Sequence, residues 1–259
     1  MNTLKLIQLY NHVPYFFLIF FRISSFIGAF PMFSMTTVPK RILIFLSLLL
    51  SFFVWSVYPL DEIINLFSFE GFELALNQVM IGLTSGFIFT IIFNLFIYVG
   101  EIIAMQTGLG FASLIDPKIS QLNLLGQYYW LATTSFFLVQ NGHLKAIAML
   151  VQSFEVLPIT ASVLNLVKIK FIIEFGSILF SGTLLIALPL VISLLAVNII
   201  FSVMSRAVPQ LNILSITLPI ILILGLGIAY ISFQTIMGNA EEFFEHGFRV
   251  LKTFLGGTS

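Results

Sequence analysis

The sequence predicts an all-α membrane protein of roughly six to eight helices, arranged as helical hairpins with some helices broken. Two observations come from composition: 59% of the 259 residues are hydrophobic, and only 8% are charged. A soluble domain has about 25% charged residues, so most of this surface cannot face water. The third observation is that apolar runs recur along the whole chain, many close to the roughly 20 residues that cross a bilayer as a helix.

Hydropathy places the individual helices. Two parts of this pattern leave alternatives open. The fourth and fifth runs are separated by a turn-forming cluster at 140–143, so they form a tight hairpin or one is too short to cross. The sixth run is 34 residues long and contains Pro189, which predicts a broken helix or two short legs of a hairpin. The seven runs are 13–34, 41–59, 73–99, 122–140, 143–164, 171–204 and 212–236.

Charge placement orients the first part of the chain. Lys40 and Arg41 lie between the first two runs, whereas four acids surround the link at 59–73. Because basic loops tend to be cytoplasmic, we expect 35–41 inside and 59–73 outside.

Residues 238–259 mix acids and bases with phenylalanine and leucine, which predicts an amphipathic helix or tail at the interface or against a partner. We find no linker or repeat, so 1–259 is interpreted as a single all-helical domain.

Charged residues inside apolar runs indicate buried pairs. An arginine near the bilayer centre costs at least about 2.5–3.5 kcal/mol, so Arg22 should face protein or water. Glu101, Asp116 and Glu174 are candidate partners in a structural or assembly ion pair. Snorkelling to the interface and a transport role are the alternatives for Arg22. Arg206, before the break at Pro209, is a second charge of this kind or a headgroup-facing arginine.

Two further patterns concern packing and chemistry. Gly82 and Gly86 form a small-xxx-small face suited to close helix packing. The three histidines are isolated, cysteine is absent, and no phosphate-binding loop occurs, so we expect no enzyme activity, no metal and no cofactor. The eleven basic residues are spread along the chain and give no stripe for nucleic acid.

The segment 100–117 is the most informative part of the sequence. It combines two acids, three glycines and a proline with large apolar side chains such as Met105 and Phe111. A solvated loop would not need those apolar residues, and a membrane helix would not favour Gly108 and Gly110 before Asp116-Pro117. Irregular backbone at membrane depth is tolerated where it is buried in protein or lines a cavity. The segment is therefore interpreted as the lining or plug of a pathway.

The run from Gly100 to Pro117 resembles the central motif of the FliR family of type III export-gate proteins, whose relatives also occur in injectisomes. The closeness of this motif favours flagellar use. Other similarities follow in the family's order along essentially the whole chain: Arg22, Val38 to Arg41, Gly82 to Gly86, Asn141 to Leu144, Leu157-Pro158, and Arg206 to Leu211 before Pro219.

The resemblance implies a component of the flagellar protein export gate, in the bacterial inner membrane at the flagellar basal body. FliP-like and FliQ-like subunits would assemble with it into a helical, channel-bearing complex that unfolded export substrates cross. An FlhB-like export switch protein is a further implied partner. The implied plug and gate residues are Met105, Gly108, Leu109, Gly110, Phe111, Ala112, Ser113, Leu114, Ile115, Asp116 and Pro117.

Two other functions fit the residues less well. A stand-alone secondary transporter or channel uses broken helices and intramembrane charges, but the two halves of this chain show no repeat symmetry. An intramembrane enzyme would need a nucleophile and base, or metal ligands, at matching spacing, and the sequence has neither.

Overall fold

The computed structural model describes residues 2–34, 38–58, 68–109, 124–160, 166–207 and 213–256. Within these ranges the chain is helical, with eight helices and no strand. This confirms the all-α fold class. The helices are α1 (Asn2–Ala29), α2 (Pro31–Ser34), α3 (Lys40–Val57), α4 (Phe69–Gln106), α5 (Leu124–Val139), α6 (Gly142–Val156), α7 (Leu166–Ala207) and α8 (Ile213–Phe254).

Four stretches of described helix are long and apolar enough to cross a membrane: Lys40–Val57, Phe69–Gln106, Phe175–Met204 and Pro219–Phe254. The apolar part of α1, Val13–Ala29, is shorter. Helices α5 and α6 have 16 and 15 residues, below the roughly 20 that a bilayer requires. Each of the seven predicted apolar runs therefore overlaps a described helix, but only four of the described helices combine the length and the apolar composition of a span.

The structure differs from the sequence-based expectation at 171–204. Helix α7 is continuous over 42 residues, with Pro189 in its interior. Proline removes one backbone donor and displaces a carbonyl of the preceding turn. Apolar helices tolerate this where neighbouring groups and local adjustments satisfy the freed carbonyl. The expectation of a broken helix or a two-legged hairpin is therefore wrong for this segment.

The predicted turn between the fourth and fifth runs is confirmed. Only Gln140 and Asn141 separate α5 from α6, and Asn141 has a φ of 54°. Asparagine is one of the few non-glycine residues that adopt this left-handed conformation routinely. The carbonyl oxygen of Asn141 then accepts bonds from the backbone N–H groups of Leu144 and Lys145 at 3.0 and 3.1 Å. The turn thus starts α6 directly.

The chain divides into two compact units. The first comprises Met1–Thr90, Asn141–Phe175 and His246–Ser259, and the second comprises Ile91–Gln140 and Gly176–Glu245. Phenylalanine fills both cores. In the first unit the ring of Phe89 lies 5.3 Å from that of Phe30 and 5.1 Å from that of Phe248.

In the second unit one aromatic cluster joins three helices. Phe93 of α4 lies 5.5 Å from Phe137 of α5 and 5.2 Å from Phe244 of α8, and Phe137 and Phe244 are 4.7 Å apart. Such pairs contribute about 0.5–1.5 kcal/mol each beyond the area that they bury. Helix α8 contains Phe244 and continues to Phe254, so residues 238–254 of the predicted C-terminal segment belong to this helix.

Candidate functional site

The central segment begins inside α4. That helix contains Gly100 to Gln106, and Thr107 to Leu109 follow as a turn. The N–H groups of Thr107 and Gly108 still donate to carbonyls of the last turn, at 3.0 and 3.4 Å. Gly108 has a φ of 81°, and a left-handed glycine just past the last turn is a common way to end a helix. The chain therefore leaves α4 at a defined point.

Thr107 packs this point against Gly225 of α8, in the second unit. Its side chain is 2% exposed, and its hydroxyl donates to the carbonyl oxygen of Ala104 at 3.1 Å. A Cβ atom placed on Gly225 of α8 would lie 2.0 Å from Cγ2 of Thr107 and 3.5 Å from Leu194 of α7. The base of the segment is thus packed where α4, α7 and α8 meet.

The chain returns to α4 at Gly100, which precedes the point where the chain left that helix. Helix α5 begins at Leu124, and a Cβ atom placed on Gly100 of α4 would lie 2.6 Å from the carbonyl oxygen of Leu125. On the other side of the crossing, a Cβ atom on Gly126 would lie 3.4 Å from the carbonyl oxygen of Ile97. The two helices therefore touch backbone to backbone. Both ends of 110–123 are held by this part of the second unit.

The predicted plug residues are only partly within the described chain. Met105 is 66% exposed at the end of α4, while Gly108 and Leu109 are half-buried. The other predicted residues lie outside the described residues: Gly110, Phe111, Ala112, Ser113, Leu114, Ile115, Asp116 and Pro117.

A groove lies beside this segment, between α4 and α7. Its volume is about 430 Å³, and Tyr98, Glu101 and Met105 line it from α4. Phe180 and Leu184 line it from α7. The walls are almost wholly apolar, and Glu101 is the charged residue among the lining side chains.

Arg22 forms a second site, in the first unit. It is 0% exposed. Its Nε donates to Oε1 of Gln78 at 2.7 Å, and its Nη1 donates to the carbonyl oxygen of Ser153 at 3.0 Å and to the hydroxyl of Ser153 at 3.1 Å. Its Nη2 donates to the carbonyl oxygen of Leu157 at 3.0 Å. Gln78 is held in turn, because its Nε2 donates to the carbonyl oxygen of Ile159 at 3.0 Å.

The end of α6 compensates the charge of Arg22. Ser153 and Leu157 lie at the C-terminus of that helix, where the macrodipole is negative and favours cations. The guanidinium carbon also lies 4.2 Å from the ring centroid of Phe154, within the range of a cation–π contact. The described bonds of Arg22 all go to neutral groups.

Of the acids expected from the sequence as partners of Arg22, Glu101 is the one whose side chain the structure describes, and none of the described bonds of Arg22 goes to it. Glu101 has no hydrogen bond or ion pair to any residue that the structure describes. Asp116 lies outside the described residues, and Glu174 lies in α7 with its side chain outside them. Arg206 is exposed in the last turn of α7, a position where the helix dipole also favours a cation.

Gly82 and Gly86 lie against α1. A Cβ atom placed on Gly82 would lie 2.1 Å from the carbonyl oxygen of Arg22, and one on Gly86 would lie 2.8 Å from that of Phe26. Thr90, one turn further along α4, donates its hydroxyl to the carbonyl oxygen of Ala29 at 2.6 Å. The two helices therefore approach closely along three successive turns of α4.

Sequence reasoning missed four residues of these sites. Gln78 is a polar residue in an apolar run, which was a usable signal for a partner of Arg22. Ser153 and Thr107 are common residue types that carry no such signal. Gly225 lies in a long apolar run beside Gly227, and only the fold distinguishes the packed glycine from the open one. Among the described residues, no three side chains of the metal-ligating types come together.

Comparison with known proteins identifies the family. The model of bacterial export proteins, family 1, matches residues 13–247. The flagellar biosynthetic protein FliR of Escherichia coli is 33% identical over 232 residues, which cover 89% of this chain and 88% of the relative. This chain belongs to the FliR family.

Other FliR proteins match at similar distance. That of Aquifex aeolicus is 31% identical over 237 residues, or 91% of this chain and 92% of the relative. That of Pectobacterium carotovorum is 30% identical over 256 residues, or 98% of both chains. As a FliR family member, the chain is a membrane component of the flagellar export apparatus.

Proposed function

We propose that this FliR family member forms, with FliP-like and FliQ-like subunits, the channel through which unfolded flagellar subunits pass. Its place is the bacterial inner membrane at the flagellar basal body, beside an FlhB-like export switch protein. Residues 108–117 form the plug that closes this channel.

The observation that carries this proposal is the anchoring of both ends of 110–123. Thr107 is packed against Gly225 at one end, and Leu125 touches Gly100 near the other. A segment held in this way keeps its place even when its middle moves. This is what a plug requires, because it must vacate a passage and then return to it.

The side chains of residues 108–117 are suited to closing a channel without any covalent reaction. Phe111, Leu114 and Ile115 are apolar, and hydrophobic constrictions close a passage by excluding water and ions. Gly108 and Gly110 reach backbone conformations that other residues avoid, which allows the segment to fold aside. No covalent step is needed, and the energy for export comes from other components.

Conductance of the purified complex tests the plug. Replacing Phe111, Leu114 and Ile115 with serine should raise ion leakage across planar bilayers, since the segment then no longer excludes water. The control variant has serine in place of three other apolar residues, Leu131, Val139 and Leu144. All three are exposed on α5 or α6. Equal conductance in both triple variants would contradict the plug.

The same preparation tests the alternative of a stand-alone transporter or channel. A gate component purified in mild detergent should retain apolar partner subunits and conduct only within the complex. Solute transport by the chain reconstituted alone would favour the alternative.

A further inference from the structure

Glu101 lies in the groove between α4 and α7, where no group in the described part of the chain pairs with its carboxylate. Its aliphatic stem packs at the crossing with α5, where a Cβ atom on Gly126 would lie 3.3 Å from its Cγ. Its carboxylate has no hydrogen-bond donor or cation among the residues that the structure describes. Acids within apolar helices are costly and generally pair with something.

Thr183, a polar residue that lines the groove from α7, cannot donate a proton to Glu101. The hydroxyl of Thr183 donates to the carbonyl oxygen of Leu179 at 2.6 Å and lies 3.5 Å from that of Leu95. Its single proton is therefore committed to the backbone of its own helix. The other lining side chains close to Glu101 are hydrocarbon, aromatic rings, the thioether of Met105 and the phenol of Tyr98.

The groove also has the composition of an interface core. Met105 is 66% exposed, Phe180 is 73% exposed and Tyr98 is 44% exposed. Methionine and aromatic residues are enriched at the buried centre of protein interfaces, and charged residues are depleted there. A lone carboxylate among them is an exception that a matching cation would explain.

We propose that this groove is the docking site for an apolar helix of another membrane subunit, which places a lysine or arginine side chain against Glu101. The inference rests on the proposed function, because it names the kind of partner that the export apparatus must supply. Charge complementarity selects the occupant. A lipid tail would fill the apolar walls but leave the carboxylate unpaired.

Photocrosslinking in the native membrane tests the docking site. Phe180→p-benzoylphenylalanine replaces one exposed aromatic side chain with another and leaves Glu101 intact. We expect an adduct with a membrane polypeptide, whose crosslinked peptide contains a lysine or arginine within an apolar run. An adduct with lipid alone, or with a helix that has no basic residue, would overturn the proposal.

Charge reversal then tests the pairing. In this background Glu101→Lys should reduce the adduct by at least about tenfold, because like charges that face each other across an interface disfavour the complex. Changing the identified basic residue to glutamate should restore it. The control is Phe52→p-benzoylphenylalanine on α3, where Phe52 is 60% exposed. The adducts of this variant should not change when Glu101→Lys is added.

Two further readouts keep the outcomes separate. Glu101→Gln keeps the shape of the side chain, so it should lower the adduct while the melting temperature of the detergent-solubilised chain stays unchanged; an undiminished adduct counts against the pairing. If the serine variant at Phe111, Leu114 and Ile115 leaks but Phe180→p-benzoylphenylalanine gives no polypeptide adduct, only the proposed docking site is contradicted. If the polypeptide adduct forms but the serine variant does not leak, only the proposed plug is contradicted.

Discussion

Thr107 and Gly225 are in contact so close that no side chain fits between them: a Cβ atom on Gly225 would lie 2.0 Å from Cγ2 of Thr107. Gly225 lies in α8, whereas Thr107 directly follows the last residue of α4 and precedes the left-handed Gly108. The end of α4, from which the chain continues into 108–117, therefore depends on a contact that a single methyl group can disturb.

Gly225→Ala should destabilise the protein by about 1–3 kcal/mol, the usual range for overpacking a well-packed core. Thr107→Ser in the same chain should recover most of this loss. It removes Cγ2, and the next nearest atom of Thr107 to a Cβ at 225 is 3.2 Å away. Thermal unfolding in mild detergent, followed by size-exclusion chromatography of the soluble fraction, measures both variants.

The matched control for that pair is Gly227→Ala, two residues along the same helix. A Cβ atom there would meet nothing within 4 Å, so the change should be neutral or stabilising by up to about 1 kcal/mol. Equal melting temperatures for Gly225→Ala and Gly227→Ala would show that the contact between Gly225 and Thr107 is loose enough to accept a methyl group.

Arg22→Lys should lower stability although it keeps the positive charge. A lysine ammonium cannot reproduce the planar fork of arginine, so at least one of the acceptors on Gln78, Ser153 and Leu157 loses its donor. Each buried group left unsatisfied costs about 1–3 kcal/mol. Arg41→Lys, at an exposed position of α3, is the matched change and should shift the unfolding free energy by no more than about 0.5 kcal/mol.

Gly82→Ala should be more damaging than Gly225→Ala, because the obstacle is backbone. The added Cβ would lie 2.1 Å from the carbonyl oxygen of Arg22, which cannot rotate away as a side chain can. We expect a loss of about 3 kcal/mol or more and a lower yield of folded protein. Gly28→Ala, on α1 with nothing within 4 Å of the added atom, should instead be tolerated. Similar yields for both variants would contradict a close contact between α1 and α4 at Gly82.

The helices were predictable because apolar content and length are local properties. Each of the seven apolar runs overlaps a described helix, and the turn at 140–141 follows from residues adjacent in sequence. The continuity of α7 through Pro189 was not predictable in the same way. Whether a proline interrupts a helix depends on whether other groups satisfy the freed carbonyl, and the sequence of the helix does not contain that information.

The Arg22 site shows the same limit. A charge within an apolar run predicts a partner, and the sequence directs attention to acids. The described partners are an amide, a hydroxyl and two backbone carbonyls, and three of these belong to the end of α6, more than 130 positions away. Backbone carbonyls occur at every residue, so composition cannot show which of them a fold presents to a cation.

The conformation of Gly108 leads to a prediction that separates backbone strain from gating. Gly108→Ala should cost about 1–2 kcal/mol, because a side chain at a φ of 81° is strained. Gly256→Ala is a matched change, since Gly256 follows the end of α8 at a φ of 88° and its added Cβ would be 3.5 Å from Val156, an ordinary contact. Both variants should lose similar stability in thermal unfolding. Only Gly108→Ala should also alter ion leakage through the purified complex, since only this glycine sets the direction in which the chain leaves α4 for 110–117. Leakage that changes equally in both variants would show that general destabilisation, and not the end of α4, controls closure.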